Sequence, residues 1–268
     1  MDDIIVIDDL SFSYDKNVVF KGLNLSIKRG SFTTVLGNNG CGKSTFVRLL
    51  TGLERSESIY IDGTVLCDSN LSSIRGKIGV VFDNPDNCLI SETVIEDLAF
   101  PLENLNRSSD YIMSRINEVS SYLGISHLLD RCPRELSGGE KQLVSLGCAL
   151  IVNPTILILD EAFSMLDDMS RVNMLLLLKR INKDFGTTII NITHDIEESV
   201  YGNDILIFDN GSVVIHDSKE NVYKQEKLLN RLSFELPFMV SLSNKLSYYD
   251  MVHDVIFDMD EMVDFLWK

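Results

Sequence analysis

The chain has 268 residues, 45% of them hydrophobic, and a formal net charge of −16 at pH 7. This length is enough for one large domain or two smaller ones, and the hydrophobic share is that of an ordinary packed protein. The acidic balance disfavours direct binding to nucleic acid and to anionic lipid, because both attract basic surfaces. If the protein acts at a membrane, another protein is expected to hold it there.

Neither a membrane anchor nor a disulfide framework is predicted. The apolar runs at 156–159 and 174–178 are far shorter than the roughly 18–20 residues of a membrane-spanning helix. The N-terminal sequence MDDIIVIDDL is acidic and lacks the basic region of a signal peptide. The five cysteines show no C-x-x-C spacing, which argues against a zinc site and fits a reducing cytosol.

Strand and helix signals alternate along the chain. Apolar and polar residues alternate near the start, in IIVIDDLSFSY, and again at 23–37, which predicts half-buried strands. From about 42 to 200, the succession of strand, loop and helix predicts a parallel sheet covered by helices. Residues 205–216 contain two short strands joined by an Asn-Gly turn, which is a hairpin signal. After about 217 the chain turns polar and then apolar again, as in a small C-terminal extension.

The segment GNNGCGKST at 37–45 lies between a predicted strand and a predicted helix. It matches the phosphate-loop pattern G-x-x-x-x-G-K-[ST], in which backbone N–H groups and a helix N-terminus surround phosphate oxygens. Lys43 is expected to reach the β- and γ-phosphates, and Ser44 to hold Mg²⁺. The helix start is also expected to lower the pKa of the Cys41 thiol. The predicted phosphate-binding residues are Gly37, Asn38, Asn39, Gly40, Cys41, Gly42, Lys43, Ser44 and Thr45.

A second candidate site follows the apolar run IGVVF at 78–82. Asp83 and Asp86 stand at the end of this predicted strand, on either side of Asn84 and Pro85. Carboxylates in this position can bind a metal ion, act as acid and base, or cap a turn, and Asp, Asn and Pro are common turn residues. The residues of this stretch alone leave the three roles open.

The segment LSGGEKQ at 136–142 opens another predicted helix. Ser137 is a suitable N-cap, and Gly138 and Gly139 leave room for an anion at the helix start. A capped helix without a ligand has the same pattern. One γ-phosphate, however, does not need two complete cradles on one chain. The second cradle is therefore expected to serve a nucleotide held by another subunit.

The segment TILILDEAF at 155–163 reads as a buried strand with two carboxylates at its end. In a phosphate-loop protein, an aspartate in the position of Asp160 holds Mg²⁺ directly or through water. The next residue, Glu161, is placed to polarise the attacking water as a general base. Acidic residues also favour helix N-termini, so the pair gains its meaning from the phosphate loop that precedes it.

The phosphate loop, LSGGEKQ and ILILDE follow one another along the chain. Their sequences and their order resemble those of ATP-binding cassette (ABC) ATPases, in which a signature motif like LSGGEKQ stands between the other two. The resemblance covers residues 1 to about 220. It implies that Tyr14 stacks on adenine, that Asp167 in SMLD is the D-loop aspartate, and that His194 in NITHD contacts the γ-phosphate. It also implies a phosphate-loop NTPase core of the α/β class, with a mixed sheet, an antiparallel β subdomain and a helical subdomain at about 84–150.

Three further segments are similar to the ATPase subunits of energy-coupling factor (ECF) transporters: FDNPDN, EDLAFPLENLN and DEAFSMLDDMSR. Among these subunits, the chain most resembles the first of the two paralogous ATPases. LSFELPFMVSLSNKL at 232–246 resembles their C-terminal domain, which implies a small dimerisation extension at 221–268. The stretch around Asp83 occupies the place of the family's nucleotide-sensing Q-loop. The family has Gln at the position of Asp83 and often has Gln at that of Cys88.

The resemblance implies an ATPase that energises the import of vitamins or of transition-metal ions such as cobalt. Its implied partners are a paralogous ATPase, which forms a heterodimer with it, a transmembrane coupling subunit and a substrate-binding membrane subunit. ATP and Mg²⁺ are the implied cofactors, and the implied location is peripheral, on the cytoplasmic face of the cell membrane. Nucleic acid and lipid are not expected as direct partners. The transported substrate stays open, because its specificity would lie on another chain.

Two alternatives belong to the same superfamily. DNA-repair ATPases interrupt the core with long coiled coils, and no heptad tract occurs between residues 45 and 136. A soluble ATPase of cluster assembly fits the motifs as well, and co-purification with membrane proteins would separate it from a transporter subunit.

Overall fold

The computed structural model describes residues 3–267, so Met1, Asp2 and Lys268 of the predicted domain ranges lie outside the described residues. The strands are β1 (Asp3–Tyr14), β2 (Asn17–Lys28), β3 (Phe32–Gly37), β4 (Ile59–Ile61), β5 (Thr64–Val65), β6 (Ile78–Phe82), β7 (Ile156–Asp160), β8 (Thr188–Thr193), β9 (Asp204–Asp209) and β10 (Ser212–Ser218). The α-helices are α1 (Lys43–Leu50), α2 (Leu71–Arg75), α3 (Val94–Asn104), α4 (Ser109–Leu123), α5 (Gly138–Leu150), α6 (Asp168–Phe185), α7 (Lys219–Tyr223), α8 (Glu226–Arg231), α9 (Phe238–Tyr248) and α10 (Met259–Leu266).

The strands form two sheets. One is antiparallel, in the order β2-β1-β4-β5, and the other is mixed, in the order β10-β9-β3-β8-β7-β6. In the mixed sheet β9, β3, β8, β7 and β6 run parallel to their neighbours, so their carboxyl ends meet at one edge. Only β10 runs antiparallel, as the partner of β9. The predicted α/β fold, with a mixed sheet and an antiparallel subdomain, is confirmed.

The hairpin at 205–216 is also confirmed, and the strand prediction at 23–37 needs a correction. The hairpin turn places Asn210 and Gly211 at φ 46° and 73°, the left-handed values that a tight two-residue hairpin requires. The stretch at 23–37 is two strands, and its second strand, β3, is buried at every residue rather than half-buried. Phe32, Val35 and Leu36 of β3 belong to three different buried clusters, so both faces of this central strand are covered.

Three helices pack as a separate layer beside the mixed sheet. Leu98 of α3, Ile116 of α4 and Val144 of α5 are fully buried in one apolar cluster. These helices fall within the predicted helical subdomain, whose bounds at 84 and 150 stay predictions. Within the described part of the chain, no helix is both long enough and apolar enough to cross a membrane.

The C-terminal helices cover one flank of the mixed sheet. Tyr223 of α7, Leu229 of α8 and Val240 of α9 share a buried cluster with Leu36 of β3. A second, smaller cluster is formed around Val252, Ile256 and Met262. The domain boundary at 220 and the dimerisation role of 221–268 stay predictions.

Candidate nucleotide site

The phosphate loop joins the carboxyl end of β3 to the start of α1. Gly42 has φ 113°, a left-handed conformation that only glycine adopts easily, and a Cβ added there would lie 2.9 Å from the ring of Phe20. A Cβ at Gly37 would collide with Cys41. The N–H of Gly211, at the hairpin tip, donates to the Cys41 carbonyl at 3.2 Å. The backbone conformation at Gly42 and the close neighbours of both residues therefore require glycine at Gly37 and Gly42.

The ammonium of Lys43 lies inside this loop. The residue is 5% exposed, and its Nζ donates to the carbonyl oxygens of Gly37 at 2.6 Å and Asn38 at 3.4 Å. A carboxylate oxygen of Glu161 lies 3.7 Å from the same nitrogen. A buried cation needs such partners, since leaving water without them is costly. The lysine is thus held between the phosphate loop and the predicted general base.

Glu161 also reaches the predicted switch histidine. Its Oε2 lies 3.5 Å from Nδ1 of His194, whose side chain is 57% exposed. The backbone of Glu161 is left-handed, with φ 50°, and its N–H donates to the Ile192 carbonyl at 2.9 Å. Such a conformation costs a non-glycine residue roughly 1–2 kcal/mol and is concentrated at functional sites. The structure thus brings together the three predicted catalytic residues, Lys43, Glu161 and His194.

Asp160 precedes this base at the end of β7, paired with Phe82 of β6 and Ile192 of β8. Burial, together with the negative charges of Glu161 and Asp83, raises the pKa of Asp160 to about 6 against the opposing charges of Lys43 and Arg48. Clustered carboxylate oxygens next to a phosphate loop are the donor set that Mg²⁺ prefers. The acidic residues and exposed Ser44 therefore fit a hard divalent cation.

The protein groups do not form a complete metal site by themselves. Within residues 3–267, no group of three or more His, Cys, Asp or Glu side chains is close enough to hold a metal ion. Mg²⁺ typically takes one or two carboxylates, with the other ligands from phosphate and water. A magnesium ion at this place would therefore need phosphate and water ligands in addition to protein groups. The metal-binding roles of Ser44, Asp160 and Asp83 stay predictions.

The three roles left open for Asp83 can now be compared. Asp83 is exposed, and its Oδ1 accepts a hydrogen bond from the N–H of Asn84 at 2.8 Å. Asn84, not Asp83, caps the following 3₁₀ turn, Pro85–Asn87, by accepting from the Asp86 N–H at 3.0 Å. Asp83 directly follows Phe82, the β6 partner of Asp160, so it stands at the same edge of the sheet as the metal-binding candidates. This placement favours the metal role over the turn cap.

The signature segment forms the capped start of α5. Ser137 caps α5 in a capping box with Glu140, whose carboxylate accepts from the Ser137 hydroxyl at 2.7 Å and N–H at 2.8 Å. Those bonds hold the pKa of Glu140 below its ordinary value. A Cβ at Gly138 would meet no atom within 4 Å, and one at Gly139 would lie 3.6 Å from Ser170. The helix start is thus open to an outside ligand.

Asp167 lies beside the signature segment, at the start of α6. Its carboxylate accepts from the N–H of Ser170 at 3.0 Å and from the Ser170 hydroxyl at 2.6 Å, and these bonds lower its pKa. The residue is therefore the N-cap of α6. Nucleotide binding by Asp167 stays a prediction and would be a second role beside the capping of α6.

Tyr14 ends β1 in the antiparallel sheet. It is half-buried, and its ring meets the edge of Phe12 with 5.0 Å between centroids. Its hydroxyl is buried without a partner among the described residues. Phe12 pairs with Phe20 of β2, which packs on Gly42, so the hairpin reaches towards the phosphate loop. Adenine stacking on Tyr14 stays a prediction.

The expectation for Cys41 is wrong. The thiol is 5% exposed, and burial raises its pKa, which outweighs the lowering by Lys43 and by backbone hydrogen bonds. The side chain belongs to the apolar cluster beneath the loop. Its backbone remains part of the loop, but its sulfur is a packing group.

Two residues of the signature helix were missed as functional candidates. Gln142 is buried and donates to the carbonyl of Phe82 at 2.9 Å, and Lys141 forms an ion pair with Asp86 at 2.7 Å. Both contacts tie α5 to the stretch around Asp83. Their sequence signal was their place in LSGGEKQ, next to the signature glycines.

This chain is similar to known proteins along nearly its whole length. A family model described as ABC transporter matches residues 20–164. The protein named Energy-coupling factor transporter ATP-binding protein EcfA1 from Streptococcus pneumoniae (strain D39) is 38% identical over 100% of this chain and 99% of its own length. The protein of the same name from Mesomycoplasma hyopneumoniae (strain 7448) is 34% identical over 99% of this chain and 98% of its own length.

Two solved structures share the fold. The structure of cbiO1 from Clostridium perfringens, part of the ABC transporter complex cbiONQ, matches with a TM-score of 0.80 at 32% identity. It covers 90% of this chain and 99% of that one. A dimeric bacterial ABC transporter cassette matches with a TM-score of 0.70 at 28% identity, covering 80% and 98%. The chain belongs to the ABC transporter ATPases, in the group of energy-coupling factor transporter ATP-binding proteins, which hydrolyse ATP to drive transport.

Proposed function

We propose that this chain is the ATP-hydrolysing subunit of an ECF importer for vitamins or for transition-metal ions such as cobalt. The observation that carries the proposal is the convergence of Lys43, Glu161 and His194 at the carboxyl edge of the mixed sheet. Similarity to ECF ATP-binding proteins along nearly the whole chain supports transport rather than DNA repair or cluster assembly.

The catalytic roles follow from where the charges lie. The loop N–H groups and Lys43 bind the phosphates, and Lys43 offsets the negative charge on the γ-phosphate as it leaves. Glu161 takes the proton of the attacking water, and His194 donates to the γ-phosphate. Ser44, Asp160 and Asp83 would hold Mg²⁺, which supplies further charge neutralisation at the phosphates.

The open signature segment supports a dimer with shared nucleotides. Ser137, Gly138 and Gly139 would close on the nucleotide of a paralogous ATPase, with Asp167 beside them. The partner's equivalent segment would close on the nucleotide held by this chain. Closed and open dimers then differ in free energy according to the nucleotide bound, which is what can drive a membrane partner.

A groove between the core and the helical layer is the dock we assign to the transmembrane coupling subunit. It has a volume of about 810 Å³ and lies between α2, β6, α3 and α5. Leu71, Leu105 and Cys88 are among its lining residues. Because Cys88 follows the stretch around Asp83, a segment of the coupling subunit bound in this groove would lie next to that stretch and would move with it. Attachment through this subunit would place the chain peripherally on the cytoplasmic face of the membrane, with the substrate-binding subunit bound elsewhere in the complex.

Replacement of Leu105 by Glu is expected to abolish assembly with the coupling subunit. Leu105 is 42% exposed at the groove, so the carboxylate stays solvated in the free chain and is buried only on docking. The measurement is co-purification of the tagged chain with candidate coupling and partner subunits that are expressed together with it. Leu176→Glu, at a position of α6 that is 50% exposed, is the matched control. Assembly of the Leu105→Glu complex at the control level would refute the dock.

Replacement of Asp83 by Ala is expected to lower ATP hydrolysis about tenfold, equivalent to 1.4 kcal/mol, and to raise the Mg²⁺ requirement. The reason is charge: a bare carboxylate 4 Å from a phosphate oxygen would be repelled by about 4 kcal/mol at an effective dielectric of 20, so Asp83 must face the metal. Asp83→Gln, the family residue, is expected to retain or raise the rate. ATPase rate is measured against Mg²⁺ concentration in the assembled complex, with the partner's site silenced. Identical titrations of Asp83→Ala and wild type would reduce Asp83 to a turn residue.

A further inference from the structure

The C-terminal extension packs against two segments that carry predicted catalytic residues. Leu36, directly before the phosphate loop, and Ile196, two residues after His194, share one buried cluster with Tyr223 and Phe234. The strand that leads into the loop and the segment that follows the switch histidine therefore rest on the same helices. A movement of these helices would displace both the strand before the phosphate loop and the segment after His194, because packed interiors transmit strain.

A hydroxyl pair fixes the switch side of this contact. Tyr223 is fully buried, and its hydroxyl oxygen lies 2.7 Å from Oγ of Ser199. Ser199 donates its own hydrogen to the Ile196 carbonyl at 2.6 Å, so the hydrogen between the two hydroxyls comes from Tyr223. The Tyr223 hydroxyl also lies 3.4 Å from that carbonyl. The pair anchors the first residue of the 3₁₀ helix Ile196–Tyr201.

This anchor matters because the side chain of His194 contacts Glu161 at 3.5 Å but otherwise depends on the backbone for its position. Its side chain is largely exposed, and its placement follows the backbone on either side. Before the 3₁₀ helix, the N–H of Asp195 donates to Thr193 at 3.0 Å, and the Asp195 carboxylate pairs with Arg171 at 2.8 Å. On the other side, the 3₁₀ helix is held by the Tyr223–Ser199 pair and by the side-chain amide of Asn191, which donates to Glu198 at 2.8 Å.

The phosphate loop is tied to the same extension. The side-chain amide of Asn38 donates to the Leu232 carbonyl at 3.3 Å, across 194 residues of sequence. The backbone carbonyl of Asn38 faces Lys43 at 3.4 Å. The extension thus contacts a loop residue that binds the catalytic lysine as well as the segment that carries the histidine.

We infer that Tyr223 is a positioning residue for ATP hydrolysis, which sets His194 relative to the phosphate loop through Ser199 and Ile196. The extension then serves the chain's own nucleotide site, in addition to the dimerisation proposed for it. This inference rests on the proposed role of His194 at the γ-phosphate.

The test is Tyr223→Phe in the full-length chain, assembled with its partner subunits and with the partner's site silenced. The kcat is expected to fall about fivefold, the rate equivalent of one hydrogen bond of about 1 kcal/mol. The KM for ATP is expected to stay within about twofold, because the variant leaves the Asn38–Leu232 contact in place. Tyr248→Phe, which alters a tyrosine that is 84% exposed on α9, is the matched control and keeps the wild-type kcat.

Ser199→Ala removes the same contact from its other side and is expected to give the same loss of kcat, so the test survives a folding failure of either variant. His194→Ala, measured in parallel, is expected to lower kcat far more. Wild-type kcat for His194→Ala would refute the role of the histidine and the inference with it. Loss in His194→Ala but wild-type kcat in Tyr223→Phe or Ser199→Ala would overturn the inference alone. An equal rise in KM would overturn it too, since that indicates damage to the whole site.

Discussion

Replacement of Glu161 by Gln is expected to reduce ATP hydrolysis by at least about 100-fold while leaving ATP binding intact. Glutamine has nearly the shape of glutamate, but it cannot take a proton from water, and general bases commonly contribute about 100- to 10,000-fold. Binding should persist or improve slightly, because the change removes one negative charge 3.7 Å from the Lys43 ammonium and thereby frees Lys43 for the phosphates. Without hydrolysis, the complex is expected to accumulate as a closed dimer with ATP.

The measurement combines single-turnover hydrolysis with filter binding of labelled ATP in the assembled complex, with the partner's site silenced. Glu57→Gln, in an exposed loop, is the matched control, since it removes the same charge away from the site. A wild-type turnover rate in Glu161→Gln would show that another group activates the water. Loss of both binding and turnover would point to a structural role for the strained backbone at this position.

The site was predictable where its chemistry is local in sequence. The phosphate loop and the Asp160-Glu161 pair are short segments at strand ends, and the carboxyl ends of parallel strands meet at one edge of a sheet. The resemblance to ABC ATPases placed His194 with them, and this residue directly follows the buried strand β8. Local segments and the family resemblance could therefore predict which residues meet at this edge, but not the distances between them.

What escaped prediction depends on packing between distant segments. The bonds from Gln142 to Phe82 and from Asn38 to Leu232 join residues 60 and 194 positions apart, and no periodicity marks either pair. Cys41 stands at a helix start, where a thiol pKa is ordinarily lowered, but the cluster below the loop excludes water and reverses the shift. Desolvation depends on the whole surrounding fold, so it cannot be derived from the flanking residues.

Replacement of Lys43 by Ala is expected to weaken ATP binding by at least about 100-fold, equivalent to 2.7 kcal/mol. The first cause is charge, because the site would present Glu161, Asp160 and Asp83 to the phosphates without the buried cation that faces them. The second is the loop, since the Gly37 and Asn38 carbonyls lose the ammonium that they share. Hydrolysis at this site is then lost because ATP no longer occupies it.

Lys43→Met separates the charge from the packing, because methionine places an unbranched, uncharged side chain of similar length in this buried position. The same loss of affinity in both variants would assign the effect to the charge, whereas near-normal binding by Lys43→Met would assign it to the stem. Lys21→Ala, on the exposed face of β2, is the control for a removed positive charge. Affinity is measured with a fluorescent ATP analogue in the presence of Mg²⁺, and thermal unfolding confirms that each variant is folded. Binding by Lys43→Ala within about threefold of wild type would contradict the assignment of residues 37–45 as the phosphate loop, since a salt-bridged buried cation would then have no part in holding the nucleotide.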